Sequence, residues 1–121
     1  MLYTVFCYNN EAEVAAWSQQ KDDALMAKLS AVNEKLIAED KLRFSARLMY
    51  TTSAVTVRPD REPMVIDGPF AETKEQLLGF YVLECETLEE AIEATRRLAQ
   101  PREGGSLEIR PLRSFHPGTG I

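Results

Sequence analysis

Hydrophobic residues follow two different patterns along the chain. Residues 2–8 and 79–85 are apolar at both odd and even positions, which is typical of strands buried on both faces. Residues 43–50 and 106–110 instead alternate between apolar and polar side chains, which predicts half-buried strands. The first two segments are therefore expected at the centre of a sheet, and the other two at its edges.

Two amphipathic helices are predicted between these strands. The first follows Ser18, which is suited to be its N-cap, and runs to about Glu39. Its apolar stripe recurs at spacings of four, three and four residues: Leu25, Leu29, Val32 and Leu36. The second opens with Thr87 and Glu90, which form a capping-box pattern, and ends before a proline. A shorter helical turn is expected over residues 11–17.

The segment between the second and third main strands predicts an inserted β-hairpin. Residues 54–58 and 64–66 read as short strands, and residues 59–63 read as the loop that joins them. The full order is then βαββαβ with an inserted hairpin. This order predicts an α+β, ferredoxin-like fold with an antiparallel sheet, in a single domain over residues 1–121.

Two helices can cover only one face of such a sheet, so the other face should keep an apolar strip. Charged side chains would rim it: Arg43, Arg47, Glu108 and Arg110. Arg47 and Arg110 are expected on this same face, at opposite edges, where a twofold partner could bring them near its Asp67 or Glu72. Because monomers rarely leave such strips open, we expect a homodimer that packs these faces together.

Composition excludes several classes of partner. The net charge of −5 disfavours a nucleic-acid surface, which needs clustered Lys and Arg. No apolar run approaches the length of a membrane span, and no signal-peptide pattern opens the chain, so a cytoplasmic protein is expected. Cys7 and Cys85 lie in apolar strands and are expected to be buried thiols of a reducing compartment.

The densest group of turn-forming and charged residues spans residues 67–75. Gly68 and Pro69 predict a sharp turn, and Phe70 is expected to plug the core beyond it. Asp67 is the best catalytic candidate. It either accepts backbone N–H bonds across the turn or is held at a cleft as a general acid or base.

Further candidate side chains surround Asp67 in the sequence. Glu72 and Glu75 could raise its pKa, while Lys74 could bind an anion or pair with an acidic neighbour across the dimer. Tyr81 offers a hydroxyl beside an apolar wall, and is either a core residue with a polar tip or a ligand contact. The only histidine, His116, is a weak candidate metal ligand. No zinc spacing or phosphate loop occurs, so neither a metal nor a cofactor is expected.

Residues 67–75, DGPFAETKE, followed by residues 78–81, resemble the YCII-related proteins of the DGPF type. Residues 105–112 are similar to the last strand of that family. The resemblance implies a dimeric α/β barrel. The wider superfamily of these proteins includes a dehydrochlorinase that acts on a chlorinated aromatic diol. A His–Asp pair has been proposed as catalytic in other YCII-related proteins, but His116 lies in the C-terminal tail here, so that mechanism does not carry over. DGPF genes often neighbour those of extracytoplasmic-function sigma factors.

Two functions remain open at this point. One is a small-molecule-binding protein or acid–base enzyme, with a cleft near Asp67 in a homodimer and a polar or aromatic ligand. The other is a non-catalytic interaction module, associated with a sigma factor. A third, purely structural possibility is that the motif only shapes the dimer interface. The candidate ligand contacts are Asp67, Glu72, Lys74, Glu75, Arg47, Tyr81 and Arg110.

The open sheet face predicts self-association. We expect sedimentation equilibrium at micromolar concentration to give twice the 13.7 kDa mass of one chain. A monomeric mass at that concentration would contradict the expectation.

Overall fold

A computed structural model describes residues 1–59, 62 and 64–118. The strands are β1 (Leu2–Asn9), β2 (Leu42–Arg47), β3 (Val55–Arg58), β4 (Met64–Asp67), β5 (Gln76–Glu84) and β6 (Ser106–Pro111). The helices are α1 (Glu11–Ala15), α2 (Gln19–Ala38) and α3 (Leu88–Ala99), and a turn of 3-10 helix covers Thr51–Ser53.

The main sheet is antiparallel, with the strand order β2-β5-β1-β6. The α+β class and the two predicted central strands are confirmed, and the order agrees with the ferredoxin-like fold. Strands β3 and β4 pair antiparallel in a separate two-stranded ribbon. Part of the connection between them, residues 60, 61 and 63, lies outside the described residues, so the inserted hairpin stays a prediction.

Both long helices begin at the predicted caps. The Ser18 hydroxyl accepts a hydrogen bond from the Lys21 N–H at 3.1 Å, which satisfies one of the free N–H groups of the first turn of α2. The Thr87 hydroxyl accepts one from the Glu90 N–H at 3.2 Å. The Glu90 carboxylate bonds to the N–H of Glu86, one residue before the cap, at 2.9 Å.

The core lies between the helices and one face of the sheet. Side chains of β1 and β5 that point to this face meet the apolar sides of α2 and α3. The largest fully buried side chains of this core come from both layers: Val5 and Leu83 from the sheet, and Leu36 and Leu98 from the helices. Burying an aliphatic side chain of this size contributes about 1.5–3 kcal/mol, so these contacts hold the helices on the sheet.

No helix of the described residues covers the opposite face, which keeps the expected apolar side chains, including the paired Phe6 and Phe80. The C-terminal tail crosses this face. Directly after β6, the Leu112 N–H donates a hydrogen bond to the Leu2 carbonyl. Further along the tail, the Phe115 ring centroid lies 6.2 Å from that of Phe44 on β2. Because β2 and β6 are opposite edges of the sheet, the tail passes over the strands between them.

Strand β2 differs from its predicted form in two ways. It ends at Arg47, and after a last hydrogen bond from the Leu48 N–H to the Leu78 carbonyl of β5 the chain leaves the sheet, with Met49 79% exposed. The apolar side of its alternation, at Phe44, faces away from the helices, so Arg47 faces α2 and pairs with Asp22 at 2.7 Å. The predicted shared face of Arg47 and Arg110 is therefore wrong, since Arg110 lies over the Phe6 ring on the open side, 5.4 Å from its centroid.

Within the described part of the chain, no helix is both long and apolar enough to cross a bilayer.

Candidate functional site

The turn after β4 is built around a glycine. Gly68 has φ of +96°, a conformation that side chains with a Cβ rarely adopt, and its N–H donates to the Ala54 carbonyl at 2.7 Å. Its own carbonyl accepts a hydrogen bond from the Thr56 hydroxyl at 2.8 Å. These bonds tie the end of β4 to β3 and explain the glycine by geometry.

The side chains around this turn point into solvent. Phe70 is 81% exposed, so the expectation that it plugs the core is wrong: the turn belongs to the ribbon β3–β4, outside the packed layers of the core. Asp67 and Glu72 are also exposed. Among the described residues, the Asp67 carboxylate accepts no hydrogen bond.

The motif of residues 67–75 leads directly into β5, and Gln76, the first residue of that strand, contacts α1. The Gln76 side chain accepts a hydrogen bond from the Glu11 N–H, at the start of α1, at 2.9 Å. The Glu11 carboxylate accepts in turn from the N–H and the hydroxyl of Thr51. This network holds the motif's end against α1, which also borders the cavity described next.

A cavity of about 180 Å³ lies between helices α1 and α2 and the covered face of the sheet. Apolar side chains supply most of its wall: Val14, Trp17, Leu25, Met26, Leu29, Leu78 and Leu107. Apolar cavities of roughly 150 Å³ in other proteins hold a benzene-sized molecule. The chamber is therefore large enough for one small ring.

A wider polar groove of about 390 Å³ lies next to the cavity. Four residues line both spaces: Asn9, Trp17, Glu103 and Gly104. Lys74 and Glu75 of the motif line the groove. At the shared boundary, the Lys21 ammonium lies 4.6 Å from the Trp17 ring centroid and pairs with Glu103 at 2.9 Å. These three side chains form the mouth of the cavity.

The polar part of the cavity wall centres on Arg102 and Tyr81. The Arg102 Nη2 donates a hydrogen bond of 2.8 Å to the Tyr81 hydroxyl, and its Nε donates to the Leu98 carbonyl at 3.0 Å. Burial raises the pKa of Tyr81, and the nearby Arg102 charge only partly opposes that shift. The phenol is therefore neutral at physiological pH and keeps its proton.

The cavity also contains the Cys7 side chain. Burial raises the pKa of Cys7, with a smaller opposite effect from Arg102, and burial likewise raises the pKa of Cys85. Both cysteines are free and buried, as predicted. A protonated, desolvated thiol is a poor nucleophile, so the geometry does not favour cysteine chemistry here.

Asn33 of α2 lines the cavity and carries an unmet hydrogen-bonding group. Its Oδ1 is buried and has no partner among the described residues. Leaving a buried acceptor unpaired costs about 1–3 kcal/mol, so such groups are rare in interiors unless they serve another purpose.

The residues predicted from sequence are divided between different places. Tyr81 and Arg47 line the cavity, and Lys74 and Glu75 line the groove at its mouth. Asp67, Glu72 and Arg110 line neither space.

Sequence reasoning missed Arg102 and Asn33. Asn33 left a signal, because it stands four residues after Leu29, next to the apolar stripe of α2. Arg102, just beyond α3, left none, since only the folded chain brings it to Tyr81.

Within the described ranges, no group of three or more His, Cys, Asp or Glu side chains could hold a metal ion. His116 lies exposed in the tail.

Replacing Asn33 by Leu should stabilise the protein. The change removes a buried acceptor without a partner and keeps a side chain of similar size, so we expect the free energy of unfolding in urea to rise by about 1 kcal/mol. Glu34→Leu, one position along on the exposed side of α2, controls for the added leucine and should change little. A loss of stability in Asn33→Leu would mean that the amide makes a native bond.

Comparisons with known proteins identify the family and leave the chemistry open. The chain matches the YCII-related domain over residues 1–116. A protein of Rhizobium meliloti (strain 1021), described only as uncharacterized, is 49% identical over 120 residues, which cover 98% of this chain and 97% of that relative. The chain therefore belongs to the YCII-related family.

Proposed function

We propose that this protein binds a small, largely apolar molecule in the cavity between α1, α2 and the sheet. The observation that carries the proposal is the combination of an apolar chamber with a few converging polar groups, the arrangement typical of small-molecule sites. The adjoining groove with Lys74 and Glu75 offers an entry path.

The polar groups favour binding over acid–base catalysis. Tyr81 and Cys7 both have raised pKa values and hold their protons. Glu103 is the one carboxylate that lines the cavity, and its hydrogen bond with Lys21 lowers its pKa. A carboxylate stabilised in its charged form is a weak base, so no strong proton acceptor faces the chamber among the described residues.

Filling the chamber should weaken the binding of phenol, which serves as a one-ring probe ligand. Leu25→Trp adds an indole to the cavity wall, and we expect it to weaken phenol binding by at least about tenfold, measured by ligand-observed NMR. Ile37→Trp introduces the same residue at an exposed position of the same helix, 59% exposed and outside the cavity lining, and should bind phenol as the unchanged protein does. Equal binding by both variants would contradict the cavity as the site.

A second arrangement keeps the ligand near Asp67, at a cleft that a second copy of the chain completes in a homodimer. What favours it is the exposure of the side chains of Asp67 and Phe70, neither of which packs into the core of the described residues. In this arrangement Glu72 would lie close to the ligand.

Asp67→Asn separates the two arrangements. If the cavity is the site, the variant should bind phenol with unchanged affinity, because Asp67 does not line the chamber. If the ligand lies at a shared cleft, the same titration should show binding lost while the circular dichroism spectrum and the sedimenting mass stay unchanged.

The alternative function is a non-catalytic interaction module. The ribbon β3–β4 favours it, because four of its apolar side chains, Val55, Val57, Met64 and Val65, are 57–64% exposed. A two-stranded ribbon is marginally stable alone, so a partner that covers it would stabilise it. The resemblance of the motif suggests a sigma factor as that partner. An interaction module without a ligand would bind no phenol in any of these titrations.

A further inference from the structure

The Arg102 guanidinium lies at the polar end of the cavity with unused donors. Two of its five N–H groups are taken, by the Leu98 carbonyl and the Tyr81 hydroxyl. Among the described residues, no carboxylate forms an ion pair with it. A half-buried cation without a counter-charge is costly, and an anion beside it would recover that energy.

The neighbouring carboxylate is held away from Arg102. Glu103 follows directly in the chain, yet it pairs with Lys21 at 2.9 Å, and its side chain is 74% exposed. The Lys21 ammonium is held in turn by its position over the Trp17 ring. In this arrangement the Glu103 carboxylate pairs with Lys21 and not with Arg102.

Tyr81 adds a second donor at the same point. Because its oxygen accepts a hydrogen bond from Arg102, its own O–H proton remains available to another acceptor. The phenol and the guanidinium together present donors to one small region, as a carboxylate with two oxygens requires. Apolar side chains of α1, α2 and the sheet supply most of the remaining wall, which also includes Asn33 and Arg47.

We infer that the ligand is a small apolar carboxylic acid, with its carboxylate bound by Arg102 and Tyr81 and its hydrocarbon part against Val14, Leu25 and Leu29. This inference rests on the proposed function, since it specifies the ligand class of the same cavity. The size of the chamber limits the hydrocarbon part to about one ring.

Benzoate and benzamide test the inference, because they share a ring and differ in charge. Their affinities are measured by NMR titration on the unchanged protein, on Arg102→Met and on Tyr81→Phe. We expect benzoate to bind more tightly than benzamide, and Arg102→Met to weaken benzoate by about tenfold or more. Tyr81→Phe should weaken benzoate by a smaller factor. Benzamide affinity should change little in either variant.

Arg96→Met provides the matched control, since Arg96 is an exposed arginine of α3 outside the cavity and should bind benzoate normally. If Arg102→Met fails to fold, Tyr81→Phe and the benzoate-to-benzamide ratio still decide the matter. Equal binding of both probes, with no loss in Tyr81→Phe, would overturn the carboxylate assignment and leave the cavity as a neutral site. Binding of neither probe would overturn the assignment together with the proposed function.

Discussion

A four-stranded sheet has two faces, and the three helices of this protein lie on one of them. The rest of the molecule depends on this asymmetry. On the covered face, the buried side chains of Val5 and Leu83 meet the long helices in the core, which anchors α2 and α3. On the other face, the C-terminal tail contacts the sheet through Phe115 and Phe44. The expected association with a second chain would use the open face, and the proposed ligand site lies on the covered one.

The chamber under the helices carries a cost in stability. Among the residues that the structure describes, the Asn33 Oδ1 has no hydrogen-bond partner and Arg102 has no carboxylate partner, and both lower the stability of the empty protein. Close backbone packing at the wall of the chamber holds β2 against β5. A Cβ at Gly79 would lie 2.6 Å from the Ala46 carbonyl, so the two strands approach each other this closely only because that position is glycine. A preformed binding site is expected to combine closely packed strands with wall groups whose hydrogen bonds or charges are not yet paired.

Local patterns predicted most of the fold, because each depends on near neighbours in the sequence. The double-sided burial of β1 and β5, the caps at Ser18 and Thr87 and the strand order follow from such patterns. Which side of β2 faces the helices did not follow, because its alternation has two directions and only tertiary contact, here the pairing of Arg47 with Asp22, selects one. The candidate site was predicted less well. The motif drew attention to Asp67, whereas the cavity is formed by residues far apart in the chain, such as Tyr81 and Arg102.

Intermolecular NOE measurements between bound phenol and isotope-labelled methyl groups would locate the ligand directly. A ligand in the chamber should give NOEs from the phenol ring to the methyl groups of Val14, Leu25 and Leu29, which line it. NOEs confined to Val57 and Val65 of the exposed ribbon, or to methyl groups of the open sheet face such as those of Val82 on β5, would contradict binding in the chamber.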